Sequence, residues 1–327
     1  SRLTILNALD AAGHGAEIAV RTELLSARRE AQGWRATLSG GREVSAKMLV
    51  NAAGPWVEEV LGRLARPGRS RLRLVKGSHI VVPRLWDGGH GYILQQPDRR
   101  VVFALPFQHD FTLIGTTDVP VSRPGEAAID AEETRYLCEA ADRYFTRQVV
   151  PADVVWRYSG VRALWDDGAA EARAVTRDYH LELDAEARLL SVFGGKLTTA
   201  RALAEEALDR LEVKGRRLTA RVALPGGDLL PAFLEWVDSL TRWLPPLVAR
   251  RMAGAYGTRM RDLIGGAESL KDLGRHFGAG LYEKEVRYLV DTEYARTAED
   301  ILWRRTKLGL TMSAKEQEAL RRYLERP

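Results

Sequence analysis

The chain has 327 residues, of which 45% are hydrophobic and 28% charged, a balance typical of folded globular proteins and not of disordered or fibrous ones. Two or three domains are expected at this length. The longest apolar stretch, residues 101–107, is far shorter than the roughly 20 residues that a membrane-spanning helix needs. The single cysteine, Cys138, excludes an internal disulfide framework and a cysteine-rich zinc site, and no metal site is predicted. The net charge of +5 favours contact with anions but does not identify them.

Two regions have the pattern of short strands joined by tight turns. Residues 17–50 contain β-rich runs separated by Gly33 and by the pair Gly40-Gly41, which indicates a small sheet. Residues 74–119 contain four further runs divided by turn residues, and strands at this spacing predict an antiparallel sheet. These four runs are SHIVVP, GYILQQ, RVVFALPF and FTLIGTTDV.

Helical periodicity follows in three regions. Residues 130–145 form one, a second begins at Thr198 directly after the segment FGGK, and the chain is almost wholly helical after residue 227. Within the last region, Ser313 with Glu316 three residues later has the pattern of a capping box. These patterns predict a separate all-helical C-terminal domain.

The first candidate for a ligand-binding turn is NAAGP, residues 51–55, which follows a β-rich run and precedes a helix. Such a strand-turn-helix directs backbone amides and the positive end of the helix dipole toward a phosphate or carbonyl group. By itself this motif is weak, because Gly54 is equally expected as a turn residue with an unusual backbone angle.

The second candidate turn, FGGKLTT, is more specific. A strand ends at Gly194-Gly195, Lys196 follows, and Thr198 can cap the next helix. Amide donors and a lysine then converge on one anionic or electron-rich group. The alternative is an ordinary glycine turn with a solvent-exposed lysine, and the glycine spacing excludes a Walker loop.

Two arginines in a region of glycine and aspartate turns form a candidate phosphate clamp. Arg162 and Arg177 are fifteen residues apart, and two guanidinium groups aimed at one point suit a phosphate monoester because each can bind two oxygens. The alternative is a pair of salt bridges to Asp166, Asp167 or Asp178.

A histidine and two threonines at strand ends complete the candidates. His79 lies in a strand bordered by a turn and a basic run, and histidine suits proton abstraction from an alcohol because its pKa is near neutral. A satisfied core histidine is the alternative. Thr116 and Thr117 supply hydroxyls that can orient a substrate or merely form a turn.

Six segments distributed along the chain carry a family signature when they are taken together and in order: NAAGPW, VKGSHIVVP, GTTDV, YSGVR, TRDY and SVFGGKLTT. They resemble the aerobic glycerol-3-phosphate dehydrogenases, and the similarity covers essentially the whole chain. The helical segment DLGRHFGAGLYEKEVRYLVDTEYARTAEDILWRRTKLGL resembles the C-terminal cap domain of that family. This segment distinguishes the chain from relatives of the sarcosine oxidase type.

The resemblance implies that FAD takes a hydride from C2 of sn-glycerol 3-phosphate, which yields dihydroxyacetone phosphate, and then passes electrons to a membrane quinone. It implies that Arg162 and Arg177 hold the substrate phosphate, with Thr116 and Thr117 lining the pocket. His79 is then the candidate base for the C2 hydroxyl.

The resemblance also implies the residues that meet the cofactor. Lys196 would lie beside the flavin and polarise the reacting oxygen or assist its proton transfer, so that it joins His79 and Arg162 as a catalytic residue. FAD contacts are expected at Gly54 and along the second turn, at Gly194, Gly195, Lys196, Leu197, Thr198 and Thr199.

The implied fold class is α/β (α+β), with three parts. Residues 1–73 and 185–227 form the remaining part of an FAD-binding domain, residues 74–184 an antiparallel-sheet substrate domain, and residues 228–327 an all-helical cap domain. The strand, G-x-G-x-x-G turn and helix with which the family seats the FAD pyrophosphate are not among these 327 residues. The chain by itself is therefore expected to bind FAD poorly and to be inactive.

The expected partners are glycerol 3-phosphate and quinone, with a homodimer as the expected assembly and no nucleic acid. The basic stretch from Arg63 to Lys76 can meet anionic lipid headgroups, which would place the protein peripherally on the cytoplasmic face of the inner membrane. The alternative for this stretch is a solvated face.

Three other functions stay open at this level. A glycerol-3-phosphate oxidase would hand the electrons to oxygen, and an amine oxidase of the same flavin fold would have no need for a phosphate clamp. A non-enzymatic alternative is a basic helical interaction module formed by residues 228–327, although acidic residues there offset the arginines.

Overall fold

A computed structural model describes residues 1–66, 68, 70–125, 127–166 and 178–325. The chain divides into two compact units. Thr22–Arg217 forms one, called here the sheet unit, and Ser1–Arg21 with Leu218–Pro327 forms the other, called here the helical unit. The first 21 residues, which the predicted boundaries assign to the flavin domain, thus group with the C-terminal helices, and the other predicted boundaries stay a prediction.

The elements of the sheet unit follow the alternation of apolar residues and turns. Its helices are α2 (Val57–Arg63), α3 (Ala131–Asp142) and α4 (Ala200–Arg210). Helix α1 (Arg2–Gly13) belongs to the helical unit. Its strands are β1 (Leu24–Glu30), β2 (Gly33–Leu38), β3 (Glu43–Ala46), β4 (Leu49–Asn51), β5 (Leu72–Pro83), β6 (Tyr92–Gln95), β7 (Val101–Phe107), β8 (Phe111–Gly115), β9 (Val119–Pro120), β10 (Trp156–Trp165), β11 (Tyr179–Asp184) and β12 (Leu189–Gly194).

Two three-stranded sheets build one part of this unit. The antiparallel sheet β1-β2-β3 confirms a small sheet within residues 17–50, but the β-rich run at residues 17–22 is not a strand and Leu49–Asn51 joins the other sheet as β4. The other sheet has the order β11-β12-β4, in which β12 pairs antiparallel with β11 and parallel with β4. Buried Trp34 of β2 donates from its indole nitrogen to the carbonyl of Ala187 over 2.8 Å, which joins the two sheets.

A six-stranded sheet of order β10-β5-β8-β7-β6, with β9 paired to β5, builds the other part. All its pairs are antiparallel, so the antiparallel sheet predicted for residues 74–119 is confirmed. Its strands alternate as a half-buried sheet requires: in β7, Val102 and Ala104 are fully buried, whereas Phe103 and Leu105 are exposed. Helix α3 covers the buried face, and its Leu137 packs there among aliphatic side chains.

The helical unit is stabilised by one large apolar core. Ser313 caps the last helix with Glu316 in a capping box, as the sequence predicts. A short ribbon at Gly278 and Leu281 adds two strands to the region predicted to be entirely helical. The elements are α1, α5 (Pro231–Leu240), α6 (Pro246–Tyr256), α7 (Met260–Ile264), β13 (His276–Gly278), β14 (Leu281–Tyr282), α8 (Glu283–Asp291), a π-helical turn (Asp300–Arg305) and α9 (Ala314–Leu324).

A buried ion pair lies inside this helical core. Arg251 of α6 donates to both carboxylate oxygens of Glu285 over 2.7 Å each, and the hydroxyl of Tyr256 donates to the same carboxylate over 2.6 Å. Burial opposes the charge of Arg251, but Glu285 holds the pKa of this guanidinium above its ordinary value. Because Glu285 is completely buried, removing it would leave an uncompensated cation in the core.

We therefore expect Glu285→Ala to lower the free energy of unfolding by about 3 to 5 kcal/mol, as for other broken buried pairs. The matched control is Arg322→Ala, which removes an exposed pair with Glu318 and should cost no more than about 1 kcal/mol. Urea unfolding of both variants measures the difference. Similar losses of unfolding free energy in the two variants would mean that burial of the Arg251–Glu285 pair does not increase its contribution to stability.

Candidate active site

Arg162 lies on β10 and its guanidinium passes over the neighbouring strand β5 at Gly77. A Cβ at position 77 would stand 2.7 Å from the guanidinium carbon and 2.7 Å from the hydroxyl oxygen of Thr116, closer than atoms in contact permit. Glycine at this position is therefore required for the observed placement of Arg162. The signal in the sequence is a glycine in the middle of an apolar strand, which often marks a close approach.

Three consecutive residues after β8 hold this guanidinium. Arg162 donates from Nη2 to the hydroxyl of Thr116 over 2.8 Å and from Nη1 to the carbonyl of Thr117 over 3.4 Å. Nη1 also makes an ion pair with the exposed carboxylate of Asp118. These contacts fix the orientation of the guanidinium group. Because the side chain is about one-third exposed (31%), a ligand can still reach it.

The side chain of Thr117 points into the protein. Its hydroxyl donates to Glu133 over 2.7 Å and accepts the backbone N–H of Ser78 over 2.9 Å, and only 1% of the residue is exposed. This hydroxyl is thus engaged inside the sheet, which differs from the pocket-lining role predicted for it. Thr116 keeps its hydroxyl beside Arg162, and its pocket-lining role stays a prediction.

His79 lies on β5 next to the Arg162 cluster. Its strand register places it opposite Tyr158 on one side and Gly115 on the other, and its ring stacks on Tyr158 with centroids 4.9 Å apart and planes at 6°. A Cβ at Gly115 would overlap the imidazole, so this glycine also makes room for a site residue. Burial, and secondarily the charge of Arg162, lower the pKa of His79 from 6.5 to about 4. The ring is therefore neutral near pH 7, which leaves its acceptor nitrogen unprotonated but makes it a weaker base than an ordinary histidine.

The same row of the sheet continues from His79 into apolar side chains. Gly115 pairs with Phe103 of β7, and Phe103 pairs with Ile93 of β6. Phe103 is 42% and Ile93 64% exposed, and Leu105 lies two residues farther along the same face of β7. Sequence reasoning did not select these residues, although the alternation within RVVFALPF carried the signal. The candidate site is thus bordered on one side by an apolar, solvent-facing surface.

The two glycine turns lie at one edge of the β11-β12-β4 sheet. Because β4 and β12 run parallel, the turn after Asn51 and the turn after Gly194 leave from the same edge, where open α/β sheets bind ligands. Gly54 has a φ of 57°, and nothing in the described residues lies within 4 Å of a Cβ built there. Buried Asn51 holds this turn by donating to the carbonyl of Val57 over 2.9 Å. The room left around Gly54 fits the close approach of a cofactor.

Both turns are also near the strand that carries Arg162. Residues Gly54–Trp56 contact β10 and β12, and β10 contacts β12. A Cβ at Gly194 would come within 2.8 Å of the carbonyl of Asp178 and 3.2 Å of the backbone nitrogen of Trp165. The predicted cofactor turns and the predicted substrate arginine therefore belong to one continuous region of the sheet unit.

Lys196 begins the exposed part of the second turn. Its Nζ is 3.8 Å from Asp178, and both side chains are largely exposed, so this pair is weak. Leu197 and Thr198 are exposed as well. The cap of α4 is Thr199, without a side-chain cap bond, so the prediction that Thr198 caps this helix is wrong. Gly195 to Thr198 thus present backbone and side chains outward.

Arg177, the second member of the predicted clamp, lies outside the described residues, as does Asp167. The alternative considered for Arg162 was a salt bridge to Asp166, Asp167 or Asp178. Arg162 does form a salt bridge, but its observed partner is Asp118. The structure therefore brings together Arg162, Thr116 and His79.

Four of the described cations in the basic stretch between Arg63 and Lys76 pair with carboxylates from elsewhere in the sheet unit. The pairs within 4 Å are Arg63 with Glu23 and Glu59, Arg66 with Asp184, Arg73 with Asp166, and Lys76 with Asp130 and Glu133. Exposed Arg71 donates to the backbone carbonyls of Gly68 and Ser70. Position 69 lies outside the described residues. In the part of the chain that is described, no helix is both long and apolar enough to span a membrane.

Two family models together match nearly the whole chain. Residues 1–210 match the model described as FAD dependent oxidoreductase, and residues 217–326 match the C-terminal domain of alpha-glycerophosphate oxidase.

Characterised relatives match over almost the same length. The chain is 46% identical to a glycerol-3-phosphate dehydrogenase of Pseudomonas aeruginosa, covering 99% of this chain and 67% of that protein. It is 41% identical to the aerobic glycerol-3-phosphate dehydrogenase of Escherichia coli, covering 99% and 68%, and 44% identical to a D-erythritol 1-phosphate dehydrogenase of Brucella abortus, covering 98% and 67%.

Among solved structures, a glycerol-3-phosphate dehydrogenase from Bacillus halodurans complexed with FAD superposes with a TM-score of 0.79. It is 24% identical, and the match covers 99% of this chain and 71% of that one. This likeness shows the fold, which confirms the predicted fold class.

We expect the imidazole of His79 to titrate with a midpoint near pH 4, because burial penalises its charged form. The unfolded chain takes up this proton near pH 6.5, so the free energy of unfolding should fall as the pH decreases from 6.5 to 4. Nitrogen NMR of the histidine ring measures the midpoint, and His79→Gln should lose this part of the pH dependence. A midpoint near 6.5 would contradict the expectation.

Proposed function

Because the chain belongs to the FAD-dependent oxidoreductase family, and within it to the glycerol-3-phosphate dehydrogenases, we propose that it oxidises sn-glycerol 3-phosphate to dihydroxyacetone phosphate. The observation that supports this substrate is the guanidinium of Arg162, held in one orientation beside a neutral His79. An anion-binding group next to a proton acceptor is what a phosphorylated alcohol requires. The chain spans about two thirds of the length of these relatives.

Arg162 is the proposed phosphate ligand. Its contacts to Thr116 and to the carbonyl of Thr117 fix the plane of the guanidinium, which is the geometry for bidentate binding of two phosphate oxygens. Asp118 is the group that phosphate must displace from Nη1, and its exposed position lets it turn into solvent. Arg177 is proposed as the second phosphate ligand on the strength of the family resemblance.

His79 is the proposed base for the substrate's secondary hydroxyl. Its neutral ring can take the proton as the alcohol is oxidised, and its stacking on Tyr158 restricts rotation of the ring. Lys196 is proposed to donate a hydrogen bond to the reacting oxygen, a role that its weak and exposed pair with Asp178 leaves open. FAD, when bound, supplies the hydride acceptor.

The proposed FAD contacts are the two glycine turns. Both turns leave the same edge of parallel strands, and both place glycine backbone at positive φ where a cofactor can come close. The residues proposed to hold it are Gly54, Gly194, Gly195, Lys196, Leu197, Thr198 and Thr199.

Quinone is the proposed electron acceptor, with the enzyme acting peripherally on the cytoplasmic face of the inner membrane. Ion pairs at Arg63, Arg66, Arg73 and Lys76 weaken the attraction of this stretch for anionic lipid headgroups, and they leave Arg71 as its exposed cation with backbone partners among the described residues. The apolar row of Phe103 and Ile93 beside His79 is a surface that a hydrophobic acceptor can approach. A homodimer stays a prediction, to be checked by light scattering. Nucleic acid is not proposed as a partner.

A four-carbon polyol phosphate is the second candidate substrate, since one relative of similar identity is named for D-erythritol 1-phosphate. Recognition of a phosphate next to a secondary alcohol serves both compounds. Amine oxidation is disfavoured because the similar relatives are named for phosphorylated polyols; Arg162 alone does not exclude it, since a guanidinium also binds the carboxylate of an amino acid.

We expect Arg162→Ala in the holoenzyme, meaning the FAD-loaded protein with the family's G-x-G-x-x-G segment present, to weaken substrate binding by about 1.5 to 3 kcal/mol and to raise KM more than it lowers kcat, since a charge-assisted contact is lost. Lys196→Ala should lower kcat instead. The matched control is Arg157→Ala, an exposed arginine that lies five residues earlier on the same strand and faces the other side of the sheet. Steady-state kinetics measures all three, and equal small effects at positions 162 and 196 would show that the roles are misassigned.

For the acceptor, we expect the holoenzyme to reduce a quinone analogue with glycerol 3-phosphate in the absence of oxygen and to ignore sarcosine. Parallel assays in air with peroxide detection distinguish a dehydrogenase from an oxidase. Stoichiometric peroxide would establish the oxidase alternative, and faster turnover of erythritol 1-phosphate would establish the four-carbon substrate.

A further inference from the structure

A buried carboxylate lies behind the segment that holds Arg162. Glu133, near the start of α3, is 5% exposed and accepts four hydrogen bonds. Its Oε1 accepts from the hydroxyls of Ser78 over 2.8 Å and Thr117 over 2.7 Å. Its Oε2 accepts from Lys76 Nζ over 2.8 Å and from the backbone N–H of Asp130 over 3.1 Å. All the lone-pair positions of this carboxylate are thus occupied.

These bonds join three separate elements at one point. Lys76 and Ser78 belong to β5, Thr117 belongs to the segment after β8, and Glu133 itself belongs to α3. Each of the two hydroxyl donors is connected to a site residue. Thr117 supplies the carbonyl that accepts from Arg162, and Ser78 directly precedes His79 and donates its N–H to the Thr117 hydroxyl.

The chemistry of the network requires an anion at position 133. Burial acts to raise the pKa of Glu133, but donation from Lys76, Thr117, the Asp130 N–H and Ser78 holds it below its ordinary value. A neutral acid or an amide would offer fewer acceptors to the same four donors and would leave Lys76 with only the more distant carboxylate of Asp130, 3.8 Å away, as a counter-ion. The carboxylate therefore sets the direction of both hydroxyls.

Glu133 also has a structural role in the helix to which it belongs. Its side chain also completes the capping box of α3 with Asp130, which stabilises the helix whether or not Arg162 is present. Thr134, the next residue on α3, offers a comparison because it is also buried (5%) and its hydroxyl donates to the carbonyl of Asp130 over 2.8 Å. Its bond serves the helix alone and does not reach the Thr116–Asp118 segment.

We propose that Glu133 is a positioning residue of the active site, acting through the Thr117 hydroxyl to hold the Thr116–Asp118 backbone on which the Arg162 guanidinium rests. This inference rests on the proposed function, since it assigns to Arg162 the phosphate of the substrate. Thr117 is then a second positioning residue and makes no side-chain contact with substrate.

The test is the pair Thr117→Val and Thr134→Val in the holoenzyme, two equivalent changes that each remove one buried hydroxyl. Thr117→Val should raise the KM for glycerol 3-phosphate about tenfold with a smaller effect on kcat, because the guanidinium loses its fixed orientation. Thr134→Val should leave KM unchanged while lowering Tm. Thr117→Ser, which keeps the hydroxyl, should restore KM, and Glu133→Gln should raise KM at least as much as Thr117→Val provided that the variant folds.

Calorimetric binding of inorganic phosphate gives a readout that does not depend on turnover. Thr117→Val should weaken phosphate binding by the same factor as it raises KM, and Thr134→Val should not. Wild-type phosphate affinity and KM in Thr117→Val, or equal losses in both valine variants, would overturn the proposal. A wild-type enzyme that fails to oxidise glycerol 3-phosphate would refute the proposed function, and the phosphate measurement would still decide the role of Glu133 and Thr117.

Discussion

A single guanidinium group organises the candidate site. Arg162 lies across β5 only because Gly77 has no side chain, and it is held there by two threonine oxygens and an aspartate. A cation in this half-buried position needs oxygen partners, and the partners come from a turn that follows a different strand. The same charge acts on His79 and, together with burial, favours its neutral form. The proposed anion binding by Arg162 and the proposed proton acceptance by His79 would thus be coupled through one side chain.

The two faces of the six-stranded sheet carry different groups of residues. One face carries Arg162, His79 and the apolar row through Phe103, and it remains accessible to ligands. The other face packs on α3, where Glu133 accepts hydrogen bonds from the hydroxyls of Ser78 and Thr117 and pairs with Lys76. Because successive side chains of a strand point to opposite faces, each strand contributes to both tasks. Ser78 and His79, adjacent in sequence, illustrate this division.

The small β11-β12-β4 sheet positions the two glycine turns that are proposed to contact FAD. Parallel pairing of β4 and β12 brings two glycine turns, which are about 140 residues apart in the chain, to the same edge. Their contact with β10 connects that edge to the strand of Arg162. A flavin held by the turns would therefore find the phosphate ligand on a neighbouring strand, which is the spatial relation that the proposed reaction needs.

The sequence by itself determined the family and many of the elements, although it did not predict α1 and it placed the segment of β10 in a region of turns. Alternation predicted the antiparallel strands of residues 74–119, the 3.6-residue period predicted the helices, and local motifs selected Arg162, His79, Thr116 and the glycine turns, because these signals arise between near neighbours in the chain. Only the tertiary structure decided which of these residues meet. Strand register, set by pairing between distant segments, places Arg162 beside Thr116 and turns Thr117 toward Glu133, and burial by packing lowers the pKa of His79. The tertiary structure likewise grouped the first helix with the C-terminal unit, an assignment that depends on contacts between segments distant in the chain and that no local pattern records.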